Sequence, residues 1–255
     1  GLRVVFPDVI ETMVTEKVLV ESFEHASSFE RALSTGKAVG DNTPIEVCGQ
    51  GGSTTFIPLT EIREMVGKLC MDVFLKMLFT DNFIHGDMHP GNMLFRFPDA
   101  TPRACGLPEL VVLDAGLALD LSETDRRNFV DCFHAIAFHD GRRAGNLMLE
   151  RSPGDPARVR DGPGFVQGVE VLFNSFIGRG GISFSKMQVG DVLTQLLGLA
   201  FSHCVKLETG FVTVFTSIIV LEGVGRQLNP LVDLLGAARP LLVEAVKEQV
   251  FGTAS

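Results

Sequence analysis

The strongest constraint on this chain is a helical apolar repeat that ends abruptly in a polar, glycine-containing loop. Ile62, Met65, Val66, Leu69, Cys70, Val73, Phe74, Met77 and Leu78 recur at spacings of 3, 4, 7 and 8, which defines one apolar helix face. Glu64/Lys68 and Asp72/Lys76 pair at i, i+4 on the wet side. Thr60 followed by Glu61 suits a helix start. The pattern predicts a helix ending at Asp81-Asn82 and feeding directly into FIHGDMHPGNMLF. Two apolar runs follow, Met93 to Phe95 and Leu110 to Leu113, and read as a hairpin with an elongated loop. After Gly116 the text turns helical. Ser122 with Asp125 starts a helix through about Phe138, Asp140 to Glu150 follows, and a Pro/Gly/Arg loop runs from Ser152 to Gly164. Helices near 165–178, 186–204, 208–227 and 230–250 complete the chain. The predicted class is α+β, mostly α, with a short hairpin carrying the polar loops and an extended helical tail.

Composition narrows the function. The chain has 255 residues, 45% hydrophobic and 21% charged, a composition able to bury a core. Its 31 acidic and 22 basic residues give a net charge of −9, which argues against a basic, phosphate-tracking nucleic-acid surface. Five scattered cysteines without a CxxC pair suggest neither a disulfide framework nor a zinc knuckle. The cysteines read as small hydrophobes. The apolar stretch Phe211 to Val224 is shorter than the ~18 to 20 residues of a membrane span and contains Glu222, so it reads as a buried helix, with Glu222 paired to Arg226. Twenty phenylalanines beside no Trp and no Tyr have no explanation in the sequence.

The N-terminal part reads differently. Leu2 to Phe6 and Lys17 to Ser22 are β-type runs. Residues 36–57 are rich in Gly, Asn, Ser and Thr and read as a flexible insertion. Its GQGG lacks the GK[ST] of a phosphate loop. The chain begins without Met, so it reads as a piece of a longer protein.

The chemistry concentrates in His85-Gly86-Asp87-Met88-His89-Pro90-Gly91-Asn92, followed across the hairpin by Asp114-Ala115-Gly116. Phosphoryl transfer needs a carboxylate at the attacking hydroxyl, and an amide oxygen with a second carboxylate to hold Mg²⁺ on nucleotide phosphates. Asp87, Asn92 and Asp114 fit those roles in order and spacing. A His-x-Asp-x4-Asn match arises by chance in about 1% of chains this long, before the flanking elements are required. The alternative is a metal-free turn in which Asp87 and Asn92 cap backbone groups, but that leaves Asp114 without a reason. His85 reads as a hydrogen bonder bracing the loop, and His89 as facing the phosphates. A zinc pair of the two histidines would need a helix, which Pro90-Gly91 breaks.

HGDMHPGN followed by a strand and Asp-x-Gly resembles the UbiB family, the aarF-domain atypical kinase-like proteins associated with coenzyme Q (ubiquinone) biosynthesis. FPDVIETMVTEKVLVESFE, LVVLDAGLALDLSETDRRNF and VLEGVGRQLNP resemble further blocks of it, and the likeness covers residues 3–245. Ala115, where most relatives carry Phe, resembles the mitochondrial aarF-domain-containing kinase 2-like branch.

By that resemblance the fold is a protein-kinase-like C-terminal lobe. Residues 1–24 are the end of the N-lobe and hinge strands, 25–255 the C-lobe, and 165–250 a helical C-terminal extension. Asp87 is the catalytic-loop aspartate, with His85, His89 and Asn92 beside it. Asn92 and Asp114 bind the metal, and Glu21, Ser22 and Phe23 lie on the adenine side. The implied cofactors are ATP and Mg²⁺.

The family's lysine strand and KxGQ extension would precede Gly1. The implied partners are therefore that N-lobe of the same protein and a small-molecule or lipid-like substrate, with peripheral membrane association allowed; the chain alone is expected to bind ATP weakly. Only Leu117 to Leu121 separate Asp-Ala-Gly from the next helix, which leaves no room for the segment on which protein kinases dock peptides. The implied activity is that of an ATP-dependent phosphotransferase or ATPase, and the implied location is mitochondrial. An aminoglycoside- or choline-type phosphotransferase and a nucleotide-binding pseudokinase scaffold are the competing readings.

Overall fold

A computed structural model describes residues 2–33, 43–49, 52–98, 107–138, 140–176, 189–229 and 234–251. In chain order these form β1 (Val4–Val5), β2 (Ser27–Ser28), α1 (Phe29–Leu33), β3 (Pro44–Cys48), β4 (Thr54–Pro58), α2 (Leu59–Lys76), β5 (Ile84–His85), β6 (Met93–Arg96), β7 (Glu109–Val112) and β8 (Ala118–Leu119). The helices α3 (Glu123–Ala137), α4 (Gly141–Glu150), α5 (Gly162–Phe176), α6 (Val189–Ser202), α7 (Thr209–Leu228) and α8 (Leu234–Phe251) follow.

The helical repeat becomes α2, and Ile62, Val66, Leu69, Cys70, Val73 and Phe74 are all buried. The ion pairs along it differ from the i, i+4 set the sequence implies. Lys68 reaches Asp72, and Lys76 reaches Asp81 rather than Asp72. The cause is a π-helical turn over Met77–Asp81 that widens the helix and brings the i+5 carboxylate within range. Asn82 ends this turn in the left-handed region at φ 50°, which Asn tolerates better than most residues.

Two compact units divide the chain, the first comprising 1–73, 87–117 and 224–232 and the second 74–86, 118–223 and 233–255. The first unit is built on a sheet in the order β1-β7-β6-β2. β6 and β7 are antiparallel, with Met93 opposite Val112 and Arg96 opposite Glu109, and β1 runs parallel to β7. Met93, Phe95, Leu110, Val111 and Val112 are almost completely buried. Phe29, Phe95 and Phe97 meet edge to face at centroid distances of 5.7 and 6.2 Å.

Two expectations change here. The described part of residues 36–57 is an antiparallel hairpin, β3 with β4, and not a loop. Its Val47, Thr55 and Ile57 face inward, so alternation of burial outweighs a turn-rich composition. Residues 36–42, 50 and 51 lie outside the described set. Lys17 to Ser22 is held by isolated bridges, Thr15 to Val18 and Val9 to Glu21, instead of forming a regular strand.

A line of charge crosses the first unit. Arg96 Nη1 donates to Glu24 at 2.7 Å and its Nε to Glu109 at 3.0 Å, while Arg3 donates to Glu109 at 2.9 Å. The side chains of Arg96, Glu24 and Glu109 are 12%, 14% and 5% exposed. Burial pushes the Glu109 carboxyl up, but hydrogen bonds from Arg3 and Arg96 outweigh it and hold the group below the ordinary glutamate range. Burial opposes the Arg96 charge, yet Glu109 and Glu24 raise its affinity for the proton above normal.

In the second unit β5 and β8 form a two-residue antiparallel ribbon. Ser122 caps α3 by accepting from Asp125 N–H at 3.1 Å, and Asp140 caps α4 by accepting from Arg143 N–H at 2.9 Å. Phe129 stacks on Phe133 at 4.3 Å, and Phe79, Phe211 and Phe215 join them at 5.4 to 6.3 Å. Phenylalanine suits such a dry cluster because it brings no hydroxyl or indole N–H that needs a partner.

Helix α7 runs for 20 residues, longer than the apolar stretch read from the sequence, and meets the length and hydropathy of a membrane span. Val214, Phe215, Ile218 and Leu221 are nonetheless buried within the second unit, as in a core helix. Glu222, 4% exposed, accepts hydrogen bonds from the first N–H groups of α6, Val189 at 2.9 Å and Gly190 at 2.5 Å.

Of the cysteines, Cys70 and Cys132 are buried, Cys48 is half-buried and Cys204 is exposed, while Cys105 lies outside the described residues. Burial pushes the Cys132 thiol up to about 12.

Glu109→Ala is expected to cost about 3 to 5 kcal/mol in urea unfolding, because it leaves the Arg96 charge short of a partner in a buried setting. Glu109 has a depressed folded-state pKa, so its stabilisation is present above the ordinary value of about 4.3 and is lost as pH falls through the folded value. Unfolding followed downward from neutral pH should show an acid-side loss that is smaller in Glu109→Ala; identical pH profiles would remove Glu109 from this role.

Candidate active site

The loop after β5 exposes Asp87, buries Met88 at 1% exposure, and then half-exposes His89. The buried methionine pins the loop, so its neighbours are presented outward. Pro90 opens a single 3-10 turn, Pro90–Asn92, where its fixed φ suits the first position. His89 caps that turn, its Nδ1 accepting from Gly91 N–H at 3.0 Å. A side chain at Gly91 would place Cβ 2.7 Å from the His89 ring and displace the ring from this capping position.

Asn92 then reaches back. Its Nδ2 donates to Asp87 Oδ2 at 3.1 Å and to the Asp87 carbonyl at 3.2 Å. The first of these bonds joins two side chains, which simple capping of a turn does not require. With Nδ2 spent on Asp87, the amide oxygen of Asn92 is turned away from it. His89 Nε2 lies 3.7 Å from Asp87 Oδ2, beyond hydrogen-bond range.

The hairpin brings in the third residue. Asn92 immediately precedes β6, Leu113 immediately follows β7, and Leu113 N–H donates to the Asn92 carbonyl at 2.9 Å. Asp114 is the next residue, exposed, with Oδ1 accepting from Gly116 N–H at 2.7 Å. A Cβ at Gly116 would sit 2.9 Å from that oxygen. Asp87, His89, Asn92 and Asp114 therefore gather at one end of the hairpin.

The other residues named from the sequence lie elsewhere. His85 is buried at 1% exposure in the β5–β8 ribbon. Glu21 bridges to Val9. Ser22 accepts from Asp8 N–H at 2.9 Å and donates to Glu24 at 3.0 Å. Phe23 is 82% exposed, its ring edge-on to His25 at 5.0 Å. This segment is tied to the site-bearing hairpin through the Glu24–Arg96 ion pair.

Sequence reasoning passed over Arg96 and the paired Glu109. The available signal was a lone charge in each of two otherwise apolar strands, MLFR and ELVV, placed opposite one another by the hairpin register.

The Asp114 carboxylate and the Asn92 amide oxygen are hard oxygen donors of the kind that suits Mg²⁺, an ion that completes its shell with phosphate oxygens and water. Among the described residues no cluster of three or more His, Cys, Asp or Glu could hold a metal by itself. A metal shared with a nucleotide fits such a donor pair.

A long helix, a polar loop, a two-stranded hairpin and an Asp-x-Gly turn, followed by helices, make an α+β, mostly α architecture consistent with a kinase-like domain. Comparison with known proteins gives the family. A family model for the ABC1 atypical kinase-like domain matches residues 3–148, and one for the UbiB helical domain matches residues 179–233. The chain is 30% identical to a mitochondrial ABC1 family protein of Saccharomyces cerevisiae over 96% of its own length and 40% of that protein. It is 34% identical to a mitochondrial ABC1 family protein of Schizosaccharomyces pombe over 68% of its length and 30% of that protein. It is 31% identical to a Shewanella protein named "Probable protein kinase UbiB" over 71% of its length and 31% of that protein. The chain belongs to the ABC1/UbiB atypical kinase-like family. It spans less than half the length of these relatives.

Gly116→Ala should displace the Asp114 carboxylate while leaving the fold intact. Mn²⁺ binding in the presence of nucleotide, followed by electron paramagnetic resonance, is expected to weaken about tenfold, equivalent to about 1.4 kcal/mol. Unchanged Mn²⁺ binding would show that the Gly116 contact does not orient Asp114.

Proposed function

We propose that this chain is the phosphate-handling part of a Mg-ATP-dependent atypical kinase or ATPase of the UbiB type, acting in mitochondria in support of ubiquinone synthesis. The observation that carries the reading is the meeting of Asp87, Asn92 and Asp114 at one end of the β6–β7 hairpin, held by the Asn92–Asp87 and Leu113–Asn92 hydrogen bonds. Family membership supports the kinase-like chemistry, and the names of the two fungal relatives support the mitochondrial location. Ala115 favours the aarF-domain-containing kinase 2-like branch.

In this reading Asn92 and Asp114 hold Mg²⁺, and Glu21, Ser22 and Phe23 lie on the adenine side. When bound, Mg²⁺ would neutralise charge on the nucleotide phosphates. Asp87 orients the attacking hydroxyl and accepts its proton, while Asn92 Nδ2 keeps Asp87 Oδ2 in place. His89 stands beside Asp87 as a group available to phosphate oxygens.

The acceptor is a small or lipid-like molecule, or water, in preference to a protein. Leu117 to Leu121 are the only residues between Gly116 and the Ser122 cap of α3, and two of them are consumed by β8. A segment so short and so fixed offers no platform for an extended peptide.

Two substitutions in the full-length protein separate the roles. Asp114→Asn is expected to weaken Mg²⁺-dependent ATP binding at least about tenfold, and unchanged binding by titration calorimetry would remove the metal assignment. Asp87→Ala is expected to lower turnover by about 10² to 10⁴ while the ATP dissociation constant stays within about threefold. Turnover equal to the parent would defeat the base assignment.

A further inference from the structure

Away from the hairpin, two loops of the second unit are stitched together. Ser152 Oγ donates to the Lys206 carbonyl at 2.9 Å and accepts from Lys206 N–H at 3.2 Å. Arg160 N–H donates to the His203 carbonyl at 2.8 Å, and His203 Nδ1–H donates to the Arg160 carbonyl at 2.9 Å. Asp155 caps the short Pro156–Arg158 turn by accepting from Ala157 N–H at 2.9 Å. The stitched loops surround an open hollow of about 730 Å³ lined by Gly154, Asp155, Arg158, Arg160, Cys204 and Lys206 among others.

Its charge is unusual for this chain. Three cations and one carboxylate line it, in a protein whose net charge is −9. Among the described residues no ion pair joins Arg158, Arg160 or Lys206 to a carboxylate, and Asp155 is engaged by backbone. Cations that no described carboxylate pairs, in a chain where acidic groups outnumber basic ones, concentrate positive potential at one place. The backbone that carries them is fixed by the four cross-loop hydrogen bonds, so little ordering remains to be done on binding. Guanidinium groups match phosphate geometry.

Phe201 lies on the same turn, its carbonyl accepting from Cys204 N–H at 3.1 Å, and it is 89% exposed. An aromatic ring standing in water on a turn that also carries a lining cation of the hollow, Lys206, is a feature that interfacial sites use.

We infer that the hollow between residues 152–160 and 203–206 is a binding site for a phosphate-bearing anion, with Arg158, Arg160 and Lys206 as its ligands. The phosphate belongs either to a lipid headgroup, in which case Phe201 enters the interface, or to a soluble molecule, in which case Phe201 takes no part. None of these residues belongs to the proposed catalytic set, so the inference stands or falls separately from the kinase reading.

The test uses full-length protein with two probes: inorganic pyrophosphate by titration calorimetry, and phosphatidylcholine vesicles with or without phosphatidylglycerol by co-sedimentation. The Arg158→Ala/Arg160→Ala/Lys206→Ala variant is expected to bind anionic vesicles about a hundredfold more weakly, at about fivefold per cation, or to lose pyrophosphate binding. Phe201→Ser identifies the source: weakened vesicle binding assigns a lipid headgroup, and unaltered pyrophosphate binding with no vesicle effect assigns a soluble phosphate. Arg142→Ala/Arg143→Ala removes two cations outside the hollow and should leave both probes bound as in the parent. The inference is overturned if the parent binds neither probe, if the triple variant binds like the parent, or if the Arg142/Arg143 control loses as much as the triple variant. Matching circular dichroism and thermal midpoints confirm that the exposed substitutions leave the fold intact.

Discussion

The backbone hydrogen bond from Leu113 N–H to the Asn92 carbonyl closes the β6–β7 hairpin at the end where the chemistry lies. The placement of Asn92 and Asp114 follows from the register that this bond continues. Met93 faces Val112, so Asn92 and Leu113 are the next rung, and Asp114 emerges as the strand ends. Because side chains alternate across a strand, a slip of one residue would carry the buried face of β6, Met93 and Phe95, outward. Burial of Met93, Phe95, Leu110 and Val112 makes that slip costly. Sheet packing therefore sets the spacing between an amide and a carboxylate that are more than twenty residues apart in sequence.

The same hairpin has a charged end and an acidic end. At one, Arg96 and Glu109 are a directly opposed pair that also grips Glu24 and Arg3; at the other, Asn92 and Asp114 reach solvent. A buried ion pair adds little net stability over a well-packed apolar pair, but its directionality penalises alternative arrangements. Here it holds the segment that ends at Glu24 against β6. The neighbouring Glu21, Ser22 and Phe23 are thereby kept at a fixed offset along the sheet.

Much of this was legible in the sequence, and the parts that were not share a cause. The α2 repeat, the β6–β7 hairpin, the Ser122 cap and the order of the later helices are local signals, and they appear in the structure with ends displaced by a few residues. The juxtaposition of Asp87, Asn92 and Asp114 was legible because their spacing is tied to one loop and one hairpin. The β3–β4 hairpin was hidden because glycine, asparagine and threonine obscured an alternation carried by Val47, Thr55 and Ile57. The Lys76–Asp81 pair depends on a π turn, which has no reliable sequence signature. The basic hollow depends on two loops more than forty residues apart, and neither loop alone carries an unusual charge.

Glu222 illustrates how far a helix terminus can depend on distant sequence. At the start of α6 two N–H groups are satisfied by a carboxylate supplied from α7, 33 residues downstream of Val189. During synthesis α6 leaves the ribosome before the group that completes it exists. Val189 and Gly190 N–H gain this carboxylate only after α7 has been made and docked, which couples the start of α6 to the folding of α7.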